Sequence, residues 1–363
     1  MKFLRYIVPA LVLVLSVNSL VLAADAGVLP KYPVGKLSVL QLPEWPVNSS
    51  AYGGKLLLSD SPEMVTDDGI MYQDTVEGDA RLFFHHVNST STPKKIIVML
   101  ENSGDEPVNI TVYQHGLGGP GYDYLAVGKK AQMDYLNGGE LYIVEVPAHG
   151  TAELAPALSN TVVENNMLVN GIYDFKTDRP VKVSTMMMPV DANVKAFAAQ
   201  AKVLPADQQR LRGTFEHKDR MLVPDKAYSV KQDGTVVITL ADHKIDKYVT
   251  GIDATDGSQV LNYGNYGIVY KLYVPSAFDG KVAYHLNPRG GDYAGGIGVR
   301  YQNRDHSVVP TPELSTSFGA NTEKDIAFIG SFDGGQSVWL TFSPPGASNL
   351  PVKLLITPDK SKL

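Results

Sequence analysis

Two groups of residues in this 363-residue chain have the types and spacing to do chemistry. The first is histidine. His85 and His86 stand side by side in a β-like run, and His115 and the acid Asp123 follow in the same half of the chain. Zinc sites draw on such nitrogen and oxygen ligands. Neighbouring side chains on a strand leave on opposite faces, so His85 and His86 are poorly placed to share one ion. No H-x-H or H-E-x-x-H spacing accompanies them. The expectation is therefore satisfied or solvent-facing histidines, with no metal and no cofactor. The alternative is an envelope hydrolase with a spatially assembled metal or carboxylate site in the first domain, using His85 or His86 with His115 and an acid such as Asp123.

The second group lies in the other half. Tyr263, Tyr266 and Tyr270 fall in the run 262–273, and Arg289, Asp292 and Tyr293 in the glycine-rich run 287–296. Aromatic rings beside a planar guanidinium can stack a sugar ring or clamp a peptide. The plainer reading has the tyrosines packing across strands and the glycines making hairpins. On the first reading these six residues form one binding face.

Other motifs point to less. A literal G-x-G-x-x-G, Gly116 to Gly121, follows a strand-like segment and precedes a helical one, the context of a dinucleotide fold. The preceding segment alternates, with Asn109, Thr111 and Tyr113 on one face, whereas the first strand of a dinucleotide sheet is buried on both faces. A glycine loop turning from strand into helix is expected instead. No G-x-S-x-G elbow marks a serine nucleophile. The acidic turns at 67–69, 253–257 and 333–335 lack the ligand ladder of a calcium loop.

Strands must position these residues. Segments 94–100 and 108–113, on either side of the turn-forming run 102–107, read as an antiparallel pair with one solvated face. Further strand patterns cover 140–146, 181–187, 235–240, 267–274, 281–286, 297–301, 337–342 and 352–356. Such strings build sandwiches. Helices are expected at about 122–136, closed by Asn137-Gly138-Gly139, and at 192–203. The polar stretch after the second helix has the composition of a connector. The expected architecture is mainly β, with a β-sandwich-like domain at 25–190 that contains the first helix. A partly helical linker at 191–222, a second β-sandwich-like domain at 223–358 and a tail at 359–363 complete it.

The start of the chain sets the expected compartment. Lys2 and Arg5 precede an uncharged run closing on Val21-Leu22-Ala23, the pattern of a signal peptide over 1–24. Pro9, Ser16, Asn18 and Ser19 interrupt that run, which disfavours an uncleaved anchor. Cysteine is absent, so neither a lipidated cysteine nor a disulfide frame is possible. The closing Ser361-Lys362-Leu363 spells a peroxisomal address that an export signal contradicts. With 44% hydrophobic and 19% charged residues the composition is globular. A net charge of -6 offers no clustered basic face for nucleic acid.

The segments Leu82-Phe83-Phe84-His85-His86, Gly171-Ile172-Tyr173-Asp174-Phe175, Asn287-Pro288-Arg289-Gly290-Gly291 and Phe342-Ser343-Pro344-Pro345-Gly346 bring in a family likeness. Across nearly all of the mature chain, the sequence resembles a group of uncharacterised secreted β-rich proteins of Gram-positive-type and related bacteria. Some of these are labelled with a copper amine oxidase amino-terminal module, which is not seen in this chain. The resemblance implies export and bacterial origin, and no activity. The expected function is therefore that of an exported envelope or extracellular protein, non-catalytic, binding cell-wall glycan, peptide or another envelope protein. No nucleic acid is expected as a partner, and no membrane once the signal is cleaved.

Overall fold

The computed structural model describes residues 38–304, 306–320 and 323–359. The expected signal peptide at 1–24 and the tripeptide at 361–363 lie outside the described residues. The fold is mainly β, with only two α-helices among the described residues, α1 (Tyr124–Asn137) and α2 (Val194–Ala198).

Two long strands, Gly69–Asn88 and Leu168–Pro189, form the spine of an 11-stranded sheet. They pair antiparallel from Gly69 opposite Met187 to Val87 opposite Leu168, with register shifts at Ile70/Tyr72 and Val76/Gly78. Such shifts bend a strand and strengthen its twist. Leu82 and Phe84 enter one hydrophobic core, while the intervening Phe83 enters the other. Burial on both faces explains why this stretch reads as an unbroken apolar run.

The expected antiparallel pair is not formed. Lys94–Glu101 pairs with residues 182–189 of the second spine strand, and Val108–Gly121 pairs with residues 168–177 of it. The two strands thus lie end to end along one edge of a longer partner. Asn102 fixes the link between them, donating to the carbonyls of Glu106, Val146 and Pro147.

The remaining strands make a six-stranded and a four-stranded sheet. Tyr270, Leu272, Leu340 and Phe342 of the former share a core with Tyr284, Leu286, Leu354 and Ile356 of the latter, the packing of a β-sandwich. The expected linker at 191–222 is largely strand. Arg212–Phe215 pairs with Lys55–Ser59, and Asp219–Pro224 lies between Val47–Tyr52 and Val269–Tyr273. A strand from the first half therefore edges the six-stranded sheet of the second half, and the described residues belong to one compact unit. A split at 191–222 would cut both sheets, so the two-domain expectation gives way.

Charge ties the halves at this seam. Arg81, 1% exposed, donates to both oxygens of Asp174 at 2.6 and 2.9 Å and to Asp219 at 3.0 Å. It also donates to the Tyr135 hydroxyl and to the carbonyls of Lys218 and Gly267. Lys218 meets Asp79 at 2.8 Å and Asp174 at 3.3 Å.

Helix α1 starts where Asp123 accepts from the Ala126 N–H and stops at Gly138, whose φ is 105°. The glycine motif beneath it is strand rather than loop, because Val108–Gly121 runs through it. A Cβ on Gly116 would stand 2.1 Å from the Ala131 carbonyl oxygen, and one on Gly118 would stand 2.0 Å from that of Val127. The glycines are the bare floor on which the helix backbone rests.

Candidate functional site

The register of the six-stranded sheet gathers basic and aromatic side chains on the face turned away from its sandwich partner. Lys271 stands opposite Thr341, Tyr273 opposite Trp339, and Trp339 in turn opposite Arg300. Side chains two residues apart share a face, so Lys271, Tyr273, Thr341, Trp339 and Arg300 project together. Met221 extends the Lys271 row on its other side. Gly298, opposite Thr341, leaves the gap that His306 fills, since a Cβ there would lie 2.5 Å from its imidazole Cε1.

These residues, with Tyr52, Asn303 and Arg304, line an open groove of about 570 Å³. Among the described residues no carboxylate comes within ion-pair distance of Lys271, Arg300 or Arg304. Lys271 donates to the Thr341 hydroxyl at 3.3 Å. Burial pushes its ammonium below the ordinary lysine value, with Asp219 opposing and Arg81 reinforcing. Burial lowers His306 as well, and the charges of Lys271 and Arg300 add to the effect. Burial and then Asp219 push the Tyr52 hydroxyl up to about 12, so it stays a neutral donor. One wall is aromatic, Trp339 stacked on Tyr273 at 4.9 Å and 28°. Unpaired guanidinium forks hold carboxylates and phosphates in two-point contacts, and rings offer a stacking surface.

A second concavity of about 850 Å³ lies against α1, where His115 stacks on Tyr173. Its lysine, Lys130, is already paired with Asp134 at 2.5 Å.

The structure disperses the binding face expected from sequence. Tyr270 and Tyr293 are 0% exposed and belong to the core. The Tyr270 hydroxyl donates to buried Asp246 at 2.6 Å. Tyr266 is half-buried against Phe83 and donates to the Ser348 carbonyl. Tyr263 is exposed and meets Tyr248 edge-on. Asp292 is exposed and Arg289 half-buried, each at its own loop position. Tyrosine is amphipathic and strand-forming, and the core takes Tyr270 and Tyr293.

The alternative metal or hydrolase centre does not assemble either. His85 and His86 leave opposite faces of their strand. His86 lies between the Ser59 hydroxyl at 2.8 Å and the Pro62 carbonyl at 2.9 Å. His85 packs against Gly346, His115 stacks on Tyr173, and Asp123 caps α1. Burial lowers His85 to about 3 and His86 to about 4, so both stay neutral. Among the described residues, no three His, Asp or Glu side chains are placed to hold a metal ion. None of the described helices is long and apolar enough to cross a membrane.

One carboxyl stands out beside these histidines. Asp60 is 8% exposed, and its Oδ1 has no hydrogen-bond partner. Burial, then the charges of Glu63 and Asp207, push it well above the ordinary aspartate value. The folded state therefore binds a proton that the unfolded state releases as pH rises above the ordinary aspartate value. Stability from this group is greatest below that value and is lost on raising the pH through the window up to the folded one. Asp60→Asn is expected to raise unfolding free energy near neutral pH by about 1 kcal/mol or more and to flatten that pH dependence. Urea titrations at several pH values check this, and an Asn variant less stable than the parent at neutral pH contradicts it.

No protein-family model matches the chain. No curated protein matches it. Among solved structures, the chain is similar to the CUB1-EGF-CUB2 domains of rat MASP-1 at 8% identity and TM-score 0.21, covering 84% of this chain and 97% of that one. It is similar to the PBSX exported protein XepA at 10% identity and TM-score 0.17, covering 80% and 86%. A cupin 2 conserved barrel domain protein from Leptotrichia buccalis follows at 7% identity and TM-score 0.13, covering 81% and 92%. Scores this low carry no function to the chain.

Proposed function

We propose that this is an exported envelope or extracellular protein of bacterial origin that binds an anionic cell-wall glycan, without catalysis, in the groove between Tyr52 and Arg304. The carrying observation is that Lys271, Arg300 and Arg304 share one open groove with an aromatic wall and have no carboxylate partner among the described residues. Unpaired cations around a concavity favour an anionic ligand, and the Trp339 wall favours one that also presents a ring face. The leader pattern of residues 1–24 supports the compartment, and that compartment supplies polyanionic glycans.

The test uses polygalacturonate as an anionic probe and dextran as a neutral one. The parent protein is expected to bind polygalacturonate, with affinity falling as salt is added, and to leave dextran unbound. Arg300→Ala and Arg304→Ala should each weaken binding on the order of tenfold, as for the loss of one charged hydrogen-bonding partner. Unchanged affinity in both variants, or equal binding of dextran, contradicts the assignment.

A further inference from the structure

The concavity against α1 has a character opposite to that of the basic groove. It encloses about 850 Å³ and is walled by His115, Tyr142 and Tyr173 together with apolar side chains such as Leu117, Leu141 and Pro156. His115 and Tyr142 meet at 71° with their ring centroids 5.5 Å apart, so the two rings make a corner. Stacking and hydrogen bonds hold that corner in place. Phe84, Tyr173 and His115 stack in turn, at 16° and then at 10°. The His115 backbone N–H donates to the Gly138 carbonyl at 3.1 Å, and its imidazole Nε2 donates to the Glu140 carbonyl at 3.1 Å. The Tyr142 hydroxyl donates to the Leu154 carbonyl at 2.7 Å. Rings anchored in this way lose little further freedom when a ligand arrives.

The charge around the corner is negative. Of the charged side chains that line the cavity, Lys130 is held by Asp134 at 2.5 Å, and Glu140 has no ion-pair partner among the described residues. Asn137, the last residue of α1, lines the cavity too, and the last turn of that helix carries no basic residue. A helix C-terminus presents about half a negative charge. Aromatic faces beside such groups draw a cation. The kind of cation follows from what the walls lack. A metal ion needs several ligands converging at short range, which the described residues do not provide. A primary ammonium needs acceptors for three N–H groups, and the side chains of Leu117, Leu141 and Pro156 offer none. A trimethylammonium spreads its charge over methyl groups and needs no acceptor, so ring faces and apolar walls both suit it.

We propose that the cavity between α1 and the strand Tyr142–Val146 binds a ligand bearing a trimethylammonium group. The methyls sit in the corner of His115 and Tyr142, and Glu140 and the end of α1 balance the charge. This site is separate from the basic groove and does not depend on the glycan reading. The two concavities take groups of opposite sign, one because its cations lack carboxylates, the other because its carboxylate lacks a cation.

Calorimetry on the full chain tests this with choline and phosphocholine as two sources of the group. The controls are tert-butylethanol, the uncharged carbon isostere of choline, and ethanolamine, its unmethylated counterpart. Saturable binding of choline or phosphocholine, on the order of tenfold tighter than either control, is the expected result. The tighter of the two identifies the source. Tyr142→Leu keeps apolar bulk without the ring and should weaken binding about tenfold, and Tyr142→Phe, which keeps the ring and loses the bond to Leu154, should recover most of that loss. Glu140→Gln, at an exposed side chain, should weaken binding about threefold and lessen its dependence on salt. Melting temperatures report that each variant folds. Absence of saturable binding for both sources, equal binding of tert-butylethanol, or full affinity in both Tyr142→Leu and Glu140→Gln overturns the site.

Discussion

Asp174→Ala is expected to lower the unfolding free energy by about 3–5 kcal/mol, the cost of breaking a buried charge pair by removing one partner. The carboxylate accepts two bonds from Arg81, one from the Tyr135 hydroxyl and one from Lys218. Arg81 and Lys218 are 1% and 3% exposed, so neither reaches water when its partner disappears. Lys218 keeps Asp79, but Arg81 keeps only one carboxylate, Asp219 at 3.0 Å, beside the neutral Tyr135 hydroxyl and the Lys218 and Gly267 carbonyls. The Lys130–Asp134 pair on the exposed side of α1 provides the contrast. Lys130→Ala should cost no more than about 0.5 kcal/mol, because both partners of an exposed i,i+4 pair are already hydrated. Guanidinium unfolding of the two variants side by side checks the pair of figures. A loss below about 1 kcal/mol in Asp174→Ala would mean that water enters the seam and that Arg81 does not tie the halves together.

That seam also marks where sequence reasoning stopped. Strand-forming segments with their own alternation, such as 281–286 and 352–356, appear as the strands Lys281–Pro288 and Val352–Pro358. Helix α1 was legible from its spacing and from Asn137-Gly138-Gly139. The stretch 207–220 misled because two of its charges are buried in pairs: Arg212 with Asp253, Lys218 with Asp79 and Asp174. Polar composition looks like a connector until the partners are known, and those partners lie far away in sequence. The groove was hidden for a related reason. Lys271, Trp339 and Arg300 each occupy an outward position of an ordinary strand. Only the pairing of Tyr273 with Trp339, and of Trp339 with Arg300, makes them neighbours. A period of two gives each strand its face, but register between distant strands is not written locally. The tyrosines at 263–293 were conspicuous in the sequence for the same property that sends Tyr270, Tyr284 and Tyr293 into the core.

Gly128→Ala separates two opposed effects, and its sign reports how closely α1 is seated. Glycine inside a helix is unfavourable relative to alanine by about 1 kcal/mol, so on an exposed or loosely docked helix the substitution should stabilise. In this fold a Cβ on Gly128 would lie 1.8 Å from the Gly346 carbonyl oxygen and 3.0 Å from its Cα. Both obstacles are backbone, so no side-chain rotation relieves them. Gly346 is itself confined, because a Cβ there would stand 2.5 Å from the Asn170 side-chain oxygen and 2.6 Å from His85 Nδ1. On an adjoining face α1 rests on Gly116 and Gly118, so two backbones crowd it and it has little room to shift. Overpacking of this kind costs typically about 1–3 kcal/mol, and with no flexible neighbour the upper end applies. The net expectation is a loss of about 2 kcal/mol, the clash exceeding the gain in propensity. Ala126→Gly, on the same helix without that clash, should also destabilise, by about 1 kcal/mol and through propensity alone. Thermal unfolding of both variants decides the matter. If Gly128→Ala melts above the parent, the 343–349 segment moves away from α1 in solution and the helix is not clamped; if it melts well below Ala126→Gly, the clamp holds.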